Sequence, residues 1–564
     1  MHRVLLVAEL LDNIFGNLSA EFERLIGGPN DGTLLALATT CRTFKEPALN
    51  ALWENLPEID TLIKCLPRDA WEASVDQETR WGRPANAFVE FKRPLTPTDW
   101  TIIRRYAPRV RRLHQVSLDS HRSSYTKLLV LSLAPPDSVP LLPNLKALEW
   151  TGMQPDTAPF VRTFLSASLE SLHYGIGSTI PDTHVLASVG AFCPAIKDAS
   201  VFSYKKISGG IEAFSLSVCR WEYLQVLQCE ELTDDALVHI AGLPNLRELH
   251  ITLTPGTPFR ALRMQVQGSV FTKLASLDVN AADLGFVAAF VSAFELSPAN
   301  VTMLVAEEAN ACSDRVAAVL KALSKVGRAL NHVEIAEEEL YWYYNPPAHT
   351  FTVRNSVIDM STLRPLLGCA ALRVIDLDTR CSVVLTDAEL IDLARALPLL
   401  ETLSVNSMRG WNAPAAVTFY GVLSVARLCP CLTRLGIQFD GMSTEKIHPP
   451  EGASAHDNEE GDGNFNLEEL WVGNSRVDDP ETVATILYDA MPGLRRVFGW
   501  CSPPGLGDEE DEAWRMEEEV YGRRWKEVEA IVAQFRREDN EDSSTSSGAA
   551  ELSADEDTNM GEEE

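Results

Sequence analysis

Basic charge is scarce in this chain. Lys and Arg number 49 against 80 Asp and Glu, for a net charge of −31 over 564 residues. A surface biased this way repels phosphates, which argues against nucleic-acid binding. The imbalance is uneven, because residues 508–519 and 538–564 together carry −18 of it. Long apolar runs are also missing. No stretch reaches the roughly 18 apolar residues of a membrane-spanning helix, so no membrane association is expected. The opening run MHRVLLVAELLDNIF is broken by Glu9 and Asp12 and is followed by no small-residue cleavage site, so it does not read as a signal peptide. The eleven cysteines are scattered, and Cys41, Cys229 and Cys369 sit inside apolar patterns, where a thiol acts as a small apolar group. An odd count without framing points to a reducing compartment, the cytoplasm or the nucleus.

Catalytic constellations are absent as well. The sequence has no Gly-x-x-x-x-Gly-Lys loop, no His-Glu-x-x-His and no Gly-x-Ser-x-Gly. No Cys-x-x-Cys pair exists to nucleate a zinc site, and Cys429-Pro-Cys431 stands alone. Gly175-Ile-Gly-Ser-Thr lacks a following lysine and reads as a turn. No cofactor, metal or enzymatic activity is expected. One basic cluster stands out: Arg104, Arg105, Arg109, Arg111 and Arg112. It reads as a solvated face or as a patch for an acidic partner.

Three short helices are expected in the first 56 residues. Val4, Val7, Leu10, Leu11, Ile14, Phe15 and Leu18 recur at three- and four-residue spacing and mark an amphipathic helix. Gly27-Gly28-Pro29-Asn30-Asp31-Gly32 reads as a loop. A second helix carrying Leu34, Leu35, Leu37, Ala38 and Cys41 is expected from about Thr33. Pro47 suits the start of a third, with Leu49, Leu52 and Trp53.

Three such helices bury little surface alone and need a partner or a neighbouring domain. Val7-Ala8-Glu9-Leu10-Leu11-Asp12-Asn13-Ile14-Phe15, then Leu34 through Phe44, then Leu52-Trp53, resemble the F-box, with Ala8 where the family pattern has proline. The stretch through residue 67 resembles F-box proteins of basidiomycete (mushroom-type) fungi most. The resemblance implies docking on a Skp-family adaptor, and through it on a cullin, within a ubiquitin ligase. It places Glu9, Leu10, Leu11, Ile14, Phe15, Leu34, Leu37, Cys41, Phe44, Leu52 and Trp53 at the adaptor-facing surface or in its support. The plainer reading is a helical cap for the remainder of the chain.

The greater part of that remainder is a repeat: apolar, two variable residues, apolar, one variable, apolar. Thirteen copies run from Leu145-Leu148-Trp150 to Leu494-Val497-Gly499, with a mean step of about 29 residues. One copy is read as Val301-Leu304-Ala306. This is the pattern and period of the leucine-rich repeat, so an α/β solenoid of horseshoe form is expected over residues 111–500, with 57–110 as linker and N-terminal cap. Six prolines, Pro143, Pro194, Pro244, Pro398, Pro430 and Pro492, precede the strands and stop the helix before each. Residues 501–537 hold an acidic linker and an apolar stripe of Trp514, Tyr521, Trp525, Val528, Ile531, Val532 and Phe535, which suits either a capping helix or a partner-binding one. The polar insertion 449–464 and the acidic tail 538–564 are expected to be unstructured.

If the three apolar positions point inward, the residues between and just after them form an outer face. Ten of these are acidic: Glu149, Asp198, Glu230, Glu248, Asp278, Glu307, Glu334, Asp376, Asp378 and Glu469. His173, His250 and His332 add conditional charge, and Trp471, Phe498 and Trp500 group near the C-terminal end. That combination suits a protein target with a basic segment, steered by acids and anchored by exposed aromatics. The expected function is a substrate receptor of a cullin-based ligase. The alternative is a repeat scaffold with no ubiquitin role. A GTPase-activating protein of the Ran type also joins such repeats to an acidic tail, but is not known for an N-terminal F-box.

Overall fold

The computed structural model describes residues 7–20, 31–75, 87–115, 121–135, 140–151, 157–176, 180–203, 209–306, 313–325, 329–338, 356–379, 381–408, 410–411, 414–444, 447, 464, 466–500 and 516–551. The chain divides into two compact units, Met1–Thr252 with Arg260–Leu274, and Leu253–Phe259 with Ala275–Glu564. Both are α/β, and in both a short strand alternates with a returning helix.

In the first unit the parallel ladder runs Asn55–Leu56, Arg112–Gln115, Ala147–Trp150, Ser171–Ile176, Asp198–Ser203, Val226–Gln228 and Glu248–Leu253. In the second it runs Ser276–Ala281, Asn300–Ala306, His332–Glu338, Val374–Asp378, Thr402–Val405, Arg434–Gly436, Glu469–Trp471 and Arg496–Phe498. The repeat pattern explains the packing directly. Leu172, Leu227, Leu277, Ile375, Leu403, Leu435 and Leu470 all point inward and are buried. Each such side chain contributes about 1.5–3 kcal/mol on leaving water.

Two rungs precede the thirteen expected from the sequence. Asn55–Leu56 follows the third helix without a break, and Arg112–Gln115 pairs beside it. Their third pattern positions are polar (Glu58 and Gln115), which hid them from the apolar triplet. One copy is corrected in register. Leu277 and Val279 pair with Val301 and Met303, so Val301, Met303 and Val305 are buried while Leu304 faces outward. The run Val301-Thr-Met-Leu-Val-Ala offers two apolar frames, and the neighbouring rung selects one. Glu307 therefore leaves the row assigned to it and falls outside the described residues.

Turns between strand and helix are held by buried polar side chains. Asn406 adopts a left-handed φ of 48° and is fully buried. Its Oδ1 accepts from Thr379 N at 2.8 Å, and its Nδ2 donates to the Cys381 carbonyl at 2.7 Å. Asparagine tolerates this conformation better than most residues. Earlier in the chain, Lys127 and Asp60 form a buried ion pair, and Asp60 also accepts from Val89 N at 3.1 Å. No sequence pattern marked this pair.

The C-terminal end closes on tryptophans. A short π-helical turn, Glu518–Gly522, leads into the helix Arg523–Glu551. Trp525, Val528 and Val532 are buried against the last repeats, and the indoles of Trp525 and Trp500 both donate to the Ser475 carbonyl, at 2.8 and 2.7 Å. The helix continues to Glu551, through part of the stretch expected to be unstructured. Its hydrogen bonds are local and no proline interrupts 523–551, so it extends beyond Val532, the last side chain buried among the described residues. Trp514, most of the 449–464 insertion and the tail after 551 lie outside the described residues. Among the described residues no helix is long and apolar enough to cross a membrane.

Replacing Trp525 with Ala removes one of the two indoles of this closure and leaves the Ser475 carbonyl with the other as its indole donor. The expected cost is about 3–5 kcal/mol, read as a lowered urea midpoint by tryptophan fluorescence. An unchanged midpoint would mean that the helix does not stabilise the repeats.

Candidate functional site

The N-terminal helices are α1 (Ala8–Ala20), α2 (Asp31–Thr40) and α3 (Arg42–Glu54). The broad apolar stripe of α1 has two sides. Leu11 and Phe15 point into the bundle, where they pack with Leu34, Ala48 and Ala51; Leu37, Ala38, Phe44 and Leu52 lie partly buried against them. Phe15 meets Phe44 edge-on at 5.6 Å. Cys41 precedes α3 in extended conformation and is half-buried. Trp53 is buried and stacks on Tyr106 at 4.7 Å, which ties α3 to the helix Pro97–Tyr106.

The other side of α1 is open. Leu10 and Ile14 are each 44% exposed, Val7 is 41% exposed, and Leu35 of α2 is 56% exposed. Residues 7, 10 and 14 share one helical face. Of the residues expected at an adaptor surface, Leu10 and Ile14 are presented outward, whereas Leu11, Phe15, Leu34, Leu37, Phe44, Leu52 and Trp53 support the bundle from within. Glu9 lies in α1, and its side chain is outside the described residues.

A second surface is the outward face of the sheet. In the second unit the register aligns Asp278, Thr302, Glu334, Asp376, Ser404, Gly436, Trp471 and Phe498 in one row across eight rungs. Asp378 lies one outward position further along its strand, beside Ala336. Glu334, Asp376 and Asp378 are thus neighbours, and all are half-buried. Burial pushes the Asp376 carboxyl above its ordinary value. A hydrogen bond from Ser404 opposes this, the Glu334 and Asp378 charges add to it, and Arg434 opposes it. Further along, Trp471 and Phe498 stack at 4.3 Å, both half-buried, with Glu469 held between Arg434 at 3.0 Å and Arg496 at 3.9 Å.

Trp500 does not belong to this face. It is buried, and its ring stacks on Tyr521 at 5.5 Å. The strand ends at Phe498, and Trp500 itself takes a left-handed φ of 52°, which turns the indole under the sheet rather than onto it. Of the three aromatics grouped by the pattern, Trp471 and Phe498 share the outward face and Trp500 does not.

In the first unit the corresponding row holds His114, Glu149, His173, Ser200, Gln228 and His250. His114 Nδ1 lies 2.8 Å from Glu149, and His173 Nε2 lies 3.4 Å from Asp198. The Asp198 hydrogen bond, aided by the Asp198 and Glu149 charges, raises the His173 imidazole above its ordinary value despite burial. Glu248 is exposed at the edge of the same face. Acids here are matched by imidazoles, whereas in the second unit they cluster. Among the described residues no group of three His, Cys, Asp or Glu side chains is placed to hold a metal. Cys429 is buried, and burial pushes its thiol up to about 12.

No protein-family model matches this chain, and no curated protein matches it. Among solved structures, a chain from the crystal structure of a Rad7 and Elc1 complex in yeast is similar, with a TM-score of 0.35 and 14% sequence identity. The match covers 69% of this chain and 92% of that one.

The electrostatics of the acidic cluster have a measurable consequence. A carboxyl whose folded pKa is raised makes the folded state hold its proton more tightly, so its charged form destabilises at neutral pH and its protonation stabilises as pH falls through the folded value. Asp376→Asn is therefore expected to raise the melting temperature at pH 7, and to lose that gain as the pH drops into the carboxylate range. A lower melting temperature for the variant at pH 7 would show that Asp376 holds the fold together instead.

Proposed function

We propose that this chain is the substrate-receptor subunit of a cullin-based, SCF-type ubiquitin ligase. The observation that carries the reading is the open apolar stripe of Val7, Leu10, Ile14 and Leu35 on a bundle whose core is built from Leu11, Phe15, Leu34, Ala48 and Ala51. Large apolar side chains grouped on one face mark a surface that another protein covers. The F-box resemblance of the same segment supplies the partner, a Skp-family adaptor joined to a cullin. The repeats would hold the target, with Glu334, Asp376 and Asp378 facing a basic segment and Trp471–Phe498 forming the apolar anchor. The chain's contribution is positional: it brings a target close to a ubiquitin-loaded enzyme that the complex supplies, in the cytoplasm or nucleus. No catalytic residue is assigned to it.

A specific observation favours a second reading. The third helix passes straight into the first ladder strand, and Trp53 packs on Tyr106. The three helices thus close the end of the ladder as a cap would, which is all that a repeat scaffold without a ubiquitin role requires.

The two readings separate on the outer residues of α1. Leu10→Asp with Ile14→Asp places two charges in the proposed apolar contact while leaving Leu11 and Phe15 in the core. Affinity for a purified Skp-family adaptor is expected to fall at least about a hundredfold, with the melting temperature little changed. Undiminished binding by the double variant, or no binding by the parent chain, rejects the adaptor reading and leaves the scaffold.

A further inference from the structure

The arginines at the start of the ladder serve neither surface described above. They meet in a cleft of about 440 Å³ within the first unit. Arg105, Arg109 and Arg111 line it together with Asp12 of α1 and with Asn50 and Glu54 of α3.

Two of the three guanidinium groups are fixed before any ligand arrives. Arg109 donates through its two Nη atoms to the Asn50 side-chain oxygen and the Glu46 carboxylate. That hydrogen bond holds the Glu46 carboxyl below its ordinary value. The Arg109 Nε is buried and has no acceptor. Arg111 donates to the Asn144 carbonyl at 3.2 Å, and the Asn144 amide donates in turn to the Pro108 carbonyl at 2.8 Å. Arg105 is exposed, with its guanidinium 5.8 Å from the centre of the Tyr106 ring.

A position in the last turn of the helix Pro97–Tyr106 suits Arg105, because cations favour helix C-termini. It accounts for neither Arg109 nor Arg111, which lie past that helix and are tethered from different sides. A guanidinium offers five N–H donors in a planar fork matched to oxyanions. Arg109 uses two of its nitrogens in this way and Arg111 one, so donors remain on both for a ligand.

The carboxylates in the same lining decide the ligand class. Asp12 and Glu54 lower the net charge of the cleft, which disfavours a polyanion that presents phosphate on every side. They favour a ligand that carries acceptors toward the arginines and N–H or O–H donors toward the carboxylates. A peptide segment with side-chain carboxylates has both, since its backbone and any Ser or Thr supply the donors. We propose that this cleft binds an acidic peptide segment, with its carboxylates forked onto Arg105, Arg109 and Arg111.

The test uses the full chain and a fluorescein-labelled Glu-Ser-Glu-Ser-Glu peptide blocked at its C-terminus, followed by anisotropy. Saturable binding that weakens with added salt is expected. Arg105→Glu with Arg111→Glu should weaken it at least about tenfold, while Arg395→Glu, an exposed arginine of the second unit, leaves it unchanged. Arg109 is kept because it ties the turn to α3, and a thermal melt of the double variant checks that the fold persists. Binding untouched by the double variant overturns the site. So does failure of the peptide to bind, including the case where inorganic phosphate binds in its place and loses affinity in the double variant.

Discussion

The inward apolar triplet, repeated and locked in parallel register, is the constraint on which everything else depends. Each rung is hydrogen-bonded to its neighbour with no offset, so Leu277, Val301, Val333, Ile375, Leu403, Leu435, Leu470 and Val497 fall in one inner column. Alternation along each strand then forces the residues between them outward. A slip of one residue would exchange the faces and put Asp376 where Ile375 sits. The accumulated burial of the inner columns is what allows the outer face to carry a half-buried acid, Asp376, whose carboxyl is raised above its ordinary value, an arrangement that acts against stability. Residues retained at such a cost are candidates for function.

The start of the first unit's ladder and the end of the second unit's ladder are closed differently. At the C-terminal end the closure is made by tryptophans. Trp500 and Trp525 share the Ser475 carbonyl, Phe439 meets the Trp525 ring edge-on at 5.8 Å, and Gly499 lets the chain pass where a side chain would press within 2.5 Å of Val472. At the N-terminal end α3 runs into the first strand, and α1 and α2 pack on α3. That bundle has only one layer of core, built on Leu11, Phe15, Leu34, Ala48 and Ala51. Among the described residues, none covers Leu10 and Ile14 on the far side of α1, which stay 44% exposed.

Much of this was legible in the sequence, because periodicity is a collective signal. The inner positions of twelve of the thirteen copies agree with the observed register, and the exception, Val301 to Ala306, is a run in which every residue but Thr302 is apolar. The rungs at Leu56 and Leu113 were hidden because one polar residue breaks the triplet in each. The direction of individual side chains was less legible. Spacing alone marks Leu10, Leu11, Ile14 and Phe15 as one stripe, and only the position of α3 separates the two that are covered from the two that are not. Trp500 looked like a neighbour of Trp471 by pattern, yet the strand ends before it. Asn406, Ser475 and the Lys127–Asp60 pair carry no local signal, since their partners lie 25 to 67 residues away.

The central claim is that the outer face of the N-terminal helices is a protein-docking surface. Hydrogen–deuterium exchange on the full chain, with and without a purified Skp-family adaptor, addresses it most directly. The expected result is slowed exchange confined to peptides covering α1 and α2, with the sheet unaffected. Exchange that is the same with and without the adaptor, or slowed only in the repeats, would contradict it.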